Sequence, residues 1–361
     1  MGELKLMKGN EALAEAAIRY GCDAYYGYPI TPQSEVIEYL MEQNPYERTG
    51  MVVLQAESEI AAINMVYAAG ASGKRVMTSS SSPGVSLKQE GIAYIAGAEV
   101  PRVYADVVRG GPGLGTIQPS QADYFQACKG GGNGDYKNIV LAPASVQEMA
   151  DFVALGFELA FKYRMACCIL SDGAIGQMME KVVLPEQKPR LTEEEIKANY
   201  PWATTGRKRG TQHRVITSLD LDSVKMEAHN RHLQEKYRLV EENEVRFEEI
   251  ECEDAEYVFV AYGSSARIAQ KSVQLARAEG LKVGLLRPIT LFPFPTKAIQ
   301  NLIDRGAKGF LAVELSCGQM IEDVKLAVNG RVKAEHFGRV GGIIHTPEEV
   351  LEAMKKQIIG E

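Results

Sequence analysis

Short apolar runs alternate with helical stretches along the first half of the chain. Lys8 to Tyr20 has helical spacing, with Asn10 as a candidate N-cap and Gly21 as the stop, and Cys22 to Tyr28 reads as a strand. Gln33 to Glu42 resumes helical periodicity, Met51 to Leu54 is a strand-type run, and Ile60 to Ala71 is an Ala-rich segment of about three turns. Because that segment is apolar on nearly every face, with Asn64 its one strongly polar residue, it is expected to be buried all round. Arg75 to Thr78, Val100 to Val108, Ile139 to Ala142 and Ala166 to Leu170 read as further strands, with helices from Ser86 to Ala98 and from Val146. This alternation predicts a doubly wound α/β domain.

The texture changes at Lys188. Charges, prolines and the sole tryptophan, Trp202, are mixed as far as Gly210, and the basic run Arg207 to Arg209 reads as a solvated loop. Asp222 to Glu249 is a highly charged helical segment, expected to be an exposed arm or inter-subunit strut. A second α/β unit follows. It has strands at Tyr257 to Tyr262, Val283 to Leu286 and Gly309 to Leu315, with a stiff stretch from Arg287 to Pro295 that contains three prolines.

The candidate chemistry lies where strands end. Pro29-Ile30-Thr31-Pro32 holds Thr31 in a rigid turn between a strand and a helix, where open α/β sheets bind ligands, although Thr31 as an ordinary helix cap fits equally well. Glu57 and Glu59 precede the apolar helix. Either can serve as a cap, or as an acid whose pKa burial raises until it can give and take a proton. Ser79 to Ser82 with Pro83-Gly84 can wrap a polar ligand or form a plain turn. Arg109, before Gly110-Gly111-Pro112-Gly113, suits the grip of a carboxylate or a structural ion pair.

Composition narrows the function classes. A chain of 361 residues with 45% hydrophobic content can bury two cores. No apolar run approaches the roughly 20 residues of a membrane span, and Met1 to Asn10 lacks the long apolar core of a secretory signal. Six scattered cysteines without a Cys-x-x-Cys pair point to a reducing cytoplasm and offer no iron-sulfur or zinc site, and the five histidines lack metal-ligand spacing. A net charge of -7 with no basic stripe disfavours nucleic acid. Phosphate-loop and dinucleotide fingerprints are missing. The glycine-rich Lys129 to Asn138 contains Gly134-Asp135 but not the Gly-Asp-Gly of a diphosphate-magnesium site, and is expected to be a flexible surface loop.

Taken together, Tyr28-Pro29-Ile30-Thr31-Pro32, Gln55-Ala56-Glu57-Ser58-Glu59-Ile60-Ala61-Ala62, Thr78 to Gly84, Arg109 to Gly113, Arg287-Pro288 with Pro293-Phe294-Pro295, and Gly318 to Asp323 resemble the alpha subunit of the 2-oxoacid:ferredoxin oxidoreductases. The likeness is strongest to the branched-chain, 2-oxoisovalerate type, and covers essentially the whole chain. It implies a thiamine diphosphate-binding (pyrimidine-type) doubly wound domain over residues 1-188, a charged helical arm or linker over 189-252, and a transketolase C-terminal-like α/β domain over 253-361. It further implies that Glu59, fourteen residues before Gly73, meets N1′ of the aminopyrimidine, that Pro29 lies against that ring, and that Thr31 and Arg109 meet the 2-oxoacid. The diphosphate, its Mg2+ and the 4Fe-4S clusters are then expected on partner beta, gamma or delta subunits. Coenzyme A and ferredoxin complete the reaction, an oxidative decarboxylation, with 2-oxoglutarate or pyruvate as alternative substrates and a non-catalytic scaffold as the alternative role.

Overall fold

The computed structural model describes residues 3–207 and 213–360, so Lys208 and Arg209 of the basic run lie outside the described residues. Seven strands form the larger sheet, in the order Thr290–Phe292, Ile139–Leu141, Ala166–Asp172, Arg102–Val108, Val76–Ser80, Ala24–Gly27, Val52–Gln55. All pairs are parallel except the first, in which Thr290–Phe292 runs antiparallel to Ile139–Leu141. The three strands Val76–Ser80, Arg102–Val108 and Ala166–Asp172 are buried along their whole length, as parallel strands covered by helices on both faces must be. The chain leaves Ala24–Gly27 for the edge strand Val52–Gln55, then returns to its other side as Val76–Ser80. That reversal opens a crevice at the carboxyl ends of those two strands, where such sheets take ligands.

The second sheet has five strands, Lys333–Gly338, Gly309–Glu314, Tyr257–Ala261, Val283–Pro288 and the antiparallel Phe247–Ile250. Buried polar contacts lock the two sheets together. Gln121 donates to Tyr262 O at 2.9 Å and accepts from Ser265 Oγ and Leu315 N, while Asp172 accepts from Ser264 N at 2.9 Å. Each of these groups would be costly to bury alone, so together they fix the docking of the second unit.

The helix Glu59–Ala71 departs from the expected full burial. Ala62, Ile63, Val66 and Gly70 face the core, but Ile60, Asn64 and Ala68 are exposed, with Ile60 at 49%. The edge strand beside it leaves Val52 and Leu54 part exposed, and Leu87 on the next helix is 51% exposed. An apolar helix with one bare face lacks a covering layer in the single chain. The helix Ser223–Asn243 departs in the opposite sense, since it is no free arm. Leu233, Lys236, Tyr237 and Val240 form a buried stripe at helical spacing, His229 meets Gly97 O at 2.7 Å, and Lys236 pairs with Glu99 at 2.8 Å.

Local differences have local causes. Helix Gly9–Tyr20 is capped at Lys8, because Asn10 reaches across to Pro32 O at 2.7 Å and Glu35 Oε2 at 3.0 Å. Helix Pro83–Gly97 begins three residues before Ser86, using Pro83 in its first turn, where the missing N–H costs nothing. The glycine-rich loop is anchored at its end, with Tyr136 and Asn138 buried and Gly132 N donating to Tyr136 Oη at 2.9 Å. Glu3–Lys8 pairs antiparallel with Met179–Leu184, a two-stranded ribbon with no sequence signal in its partly exposed residues.

Candidate functional site

Four loops meet over the crevice. The first, Tyr28 to Gln33, is pinned from below: Pro32 O accepts from both Asn10 and Gln177, each at 2.7 Å, and Gln33 accepts from Ser79 Oγ at 2.6 Å. Helix Ser34–Gln43 is capped by Gln33 without a side-chain bond, so Thr31 is not its cap. Thr31 is exposed and Pro29 partly exposed.

The second loop separates the two candidate acids. Ser58 is the N-cap, accepting from Ala61 N at 3.2 Å, while exposed Glu57 accepts from Ser58 Oγ at 2.7 Å. Glu59 opens the helix and is 5% exposed. Its carboxylate lies against Gly84. A Cβ there would sit 2.5 Å from Glu59 Oε1 and inside contact distance of Ser80 Oγ, so this close approach requires glycine.

The third loop, Ser79 to Gly84, joins Glu59 to Arg109. Ser82 holds φ 28°, a conformation that costs energy for a residue with a Cβ. It is held there by Asp106, which accepts its N–H at 3.0 Å, and by Arg109, whose N–H donates to Ser82 Oγ at 3.0 Å. Asp106 was not among the residues singled out from the sequence. Burial, with the neighbouring Asp123 carboxylate, pushes Asp106 well above the usual carboxylate range, and burial also raises Asp123. Polarity on a strand gave the only hint, for Asp106 is a lone acid in an otherwise apolar strand end.

The fourth loop carries Arg109, which is 6% exposed. Its fork is already engaged, since Nη1 donates to Thr31 O at 2.8 Å and Nη2 to Leu114 O at 3.0 Å. The alternative of a structural ion pair is not met among the described residues, and Nε is buried without a partner. Thr31 and Pro32 also wall a cavity of about 520 Å3, shared with Glu35, Ile117, Pro119 and Ile344. Pro29, Thr31 and Arg109 on loops and Glu59 at a helix start therefore stand beyond the carboxyl ends of neighbouring strands, although they are distant in sequence.

These residues fit the pyrimidine end of thiamine diphosphate. A near-buried carboxylate faces a notch that only glycine permits, with Ser80 Oγ and Ser81 Oγ buried nearby and unpartnered among the described residues. No group of three or more His, Cys, Asp or Glu able to hold a metal occurs among the described residues, and all six cysteines are free, only Cys317 being exposed.

Residues 15–250 match the family described as pyruvate flavodoxin/ferredoxin oxidoreductase, thiamine diphosphate-binding, and residues 255–350 match pyruvate:ferredoxin oxidoreductase core domain II. The chain is 52% identical to ketoisovalerate oxidoreductase subunit VorB of Methanothermobacter marburgensis, over 99% of this chain and 98% of that one. It superposes on a 2-oxoglutarate:ferredoxin oxidoreductase of Magnetococcus marinus, solved with 2-oxoglutarate, coenzyme A and succinyl-CoA bound, with TM-score 0.84 and 27% identity, covering 99% of this chain and 65% of that longer chain. A split-gene transketolase, TM-score 0.60 at 12% identity, shares the fold alone. The chain belongs to the thiamine diphosphate-dependent 2-oxoacid:ferredoxin oxidoreductases, as a subunit of their alpha type.

Proposed function

We propose that this chain supplies the pyrimidine half of a thiamine diphosphate site shared between subunits, in a complex that converts 3-methyl-2-oxobutanoate and related branched-chain 2-oxoacids to acyl-CoA and CO2. The observation that carries this reading is the Glu59 carboxylate held against the Gly84 notch, at the same carboxyl-end side of the sheet as Thr31 and Arg109. The bound cofactor supplies an electron sink for decarboxylation. Glu59 holds a proton at N1′ of the aminopyrimidine, which its low exposure favours by keeping water from competing. Pro29 packs against the ring. Thr31 presents its side chain to the 2-oxoacid, and Arg109 acts in two ways: it fixes Thr31 through the backbone, and it directs its remaining donors and its charge at the substrate carboxylate.

The diphosphate, Mg2+ and 4Fe-4S clusters belong to beta, gamma or delta partner subunits, as does delivery of electrons to ferredoxin, and the complex works in the cytoplasm. Residues 1-188 form the pyrimidine domain, 189-252 the linker, whose last strand Phe247–Ile250 joins the second sheet, and 253-361 the transketolase C-terminal-like domain, which lends Thr290–Phe292 to the first. Branched-chain specificity is supported by the 52% relative's name, while the name of the 2-oxoglutarate enzyme keeps a second substrate class in the test. Coenzyme A-dependent viologen reduction by the assembled complex, with 2-oxoisovalerate, 2-oxoglutarate and pyruvate side by side, is expected to be fastest with 2-oxoisovalerate and undetectable with this chain alone. Preference for 2-oxoglutarate contradicts the substrate assignment, and turnover by the lone chain contradicts the shared site.

A further inference from the structure

Lys88 lies where an ammonium is costly to keep. Its side chain is 1% exposed, and burial pushes it down to about 7, the negative charge of Glu59 pulling it back up and the buried Arg102 guanidinium on the neighbouring strand lowering it further. Its nitrogen donates to Thr78 Oγ1 at 2.7 Å. Alternation places Thr78 and Ser80 on one face of the strand Val76–Ser80, and a spacing of four places Gly84 and Lys88 on one face of the helix Pro83–Gly97. Those two faces meet at Glu59, for the space a Cβ on Gly84 would fill is bounded by both Ser80 Oγ and Glu59 Oε1. Thr78, Ser80, Gly84 and Lys88 thus form a column under the acid. An apolar side chain of the same length would fill the column without the cost of desolvating a charge, so the charge itself needs a reason.

We propose that Lys88 is a positioning residue for the reaction, a buried cation that faces the Glu59 carboxylate from behind the Gly84 notch and balances its charge while the acid works at its front. This rests on the reading of Glu59 given above. The groups facing Lys88 are Glu59 on the preceding helix, Arg102 and Thr78 on adjacent strands; Thr78 accepts its hydrogen bond, and Glu59 is the one that carries the opposite charge. Lys88 touches neither substrate nor cofactor, and acts through the carboxylate.

Two measurements test the proposal. The chain alone, labelled with 13Cε-lysine, is titrated by NMR, the Lys88 signal being the one missing from Lys88→Met. In Glu59→Gln the Lys88 midpoint falls by about half a unit or more, because its favourable partner is gone; an unmoved midpoint overturns the proposal. In the assembled complex, Lys88→Met lowers kcat by about tenfold, equivalent to about 1.4 kcal/mol, with the 2-oxoacid KM within twofold and a flatter pH dependence of kcat. Normal kcat with an unchanged pH profile overturns it. Full activity of Glu59→Gln alongside a shifted Lys88 midpoint defeats the reading of Glu59 while leaving the coupling intact, so the two failures are distinguishable.

Discussion

Arg109 Nη1 donates to the backbone carbonyl of Thr31 at 2.8 Å, tying together two loops that are 78 residues apart in sequence. A second bond, from Nη2 to Leu114 O at 3.0 Å, closes the arginine's own loop. The side chain is therefore both a strut and a charge. Arg109→Lys keeps the charge but has no planar fork to span both carbonyls. Losing one charge-assisted bond of about 1.5–3 kcal/mol, the variant is expected to raise the 2-oxoacid KM about tenfold or more while the complex still assembles. Unchanged steady-state kinetics would remove Arg109 from the site.

Gly84 offers a cleaner probe, because nothing there is deleted. Gly84→Ala adds one methyl at 2.5 Å from Glu59 Oε1, and carboxylate or helix must give way. Activity is expected to fall at least about tenfold through displacement of the acid, a change of about 1.4 kcal/mol in the barrier. Steady-state rates, beside a melting curve that shows the chain still folded, would report it.

The sequence made the sheet-and-helix alternation legible and marked the loops that matter, because Pro29-Ile30-Thr31-Pro32, Ser79 to Gly84 and Arg109 to Gly113 carry local turn chemistry. What lay beyond it depends on distant partners. That Asp106 faces Asp123, that Asn10 reaches Pro32 O, and that Thr290–Phe292 joins the sheet of the other unit are contacts between segments far apart in the chain, with no periodicity to announce them. The expectation for Ile60 to Ala71 failed for a related reason: apolar residues on every face predict burial, but a single chain shows only the layers it owns.

That bare face yields a prediction. Ile60 and Leu87, each about half exposed at 49% and 51%, stand on two helices that pack against each other, and a partner subunit is expected to cover them in the proposed complex. Ile60→Glu with Leu87→Glu is expected to abolish co-purification with the partner subunits while leaving the chain folded by circular dichroism. Normal assembly would place the shared interface elsewhere.

Stability at low pH is set in part by Glu15. It is buried and accepts from Arg19 Nε at 2.7 Å and Arg48 Nη2 at 2.8 Å. Burial alone would raise its pKa, but the two guanidiniums outweigh burial and hold the carboxyl below its usual range. A lowered folded-state pKa means the contribution is complete above the unfolded value, about 4.3, and is lost as pH falls through the folded one. Glu15→Gln is expected to cost about 3 kcal/mol at pH 7 and progressively less below about pH 4. Urea denaturation of wild type and variant at both pH values checks the magnitude and the sign.

The shared-site account turns on the carboxylate at the start of helix Glu59–Ala71. Glu59→Gln preserves shape and removes the ability to hold a proton at the aminopyrimidine. Coenzyme A-dependent viologen reduction by the assembled complex is expected to fall by at least about a hundredfold, with subunit composition unchanged on gel filtration. Turnover within a few-fold of wild type would contradict the account.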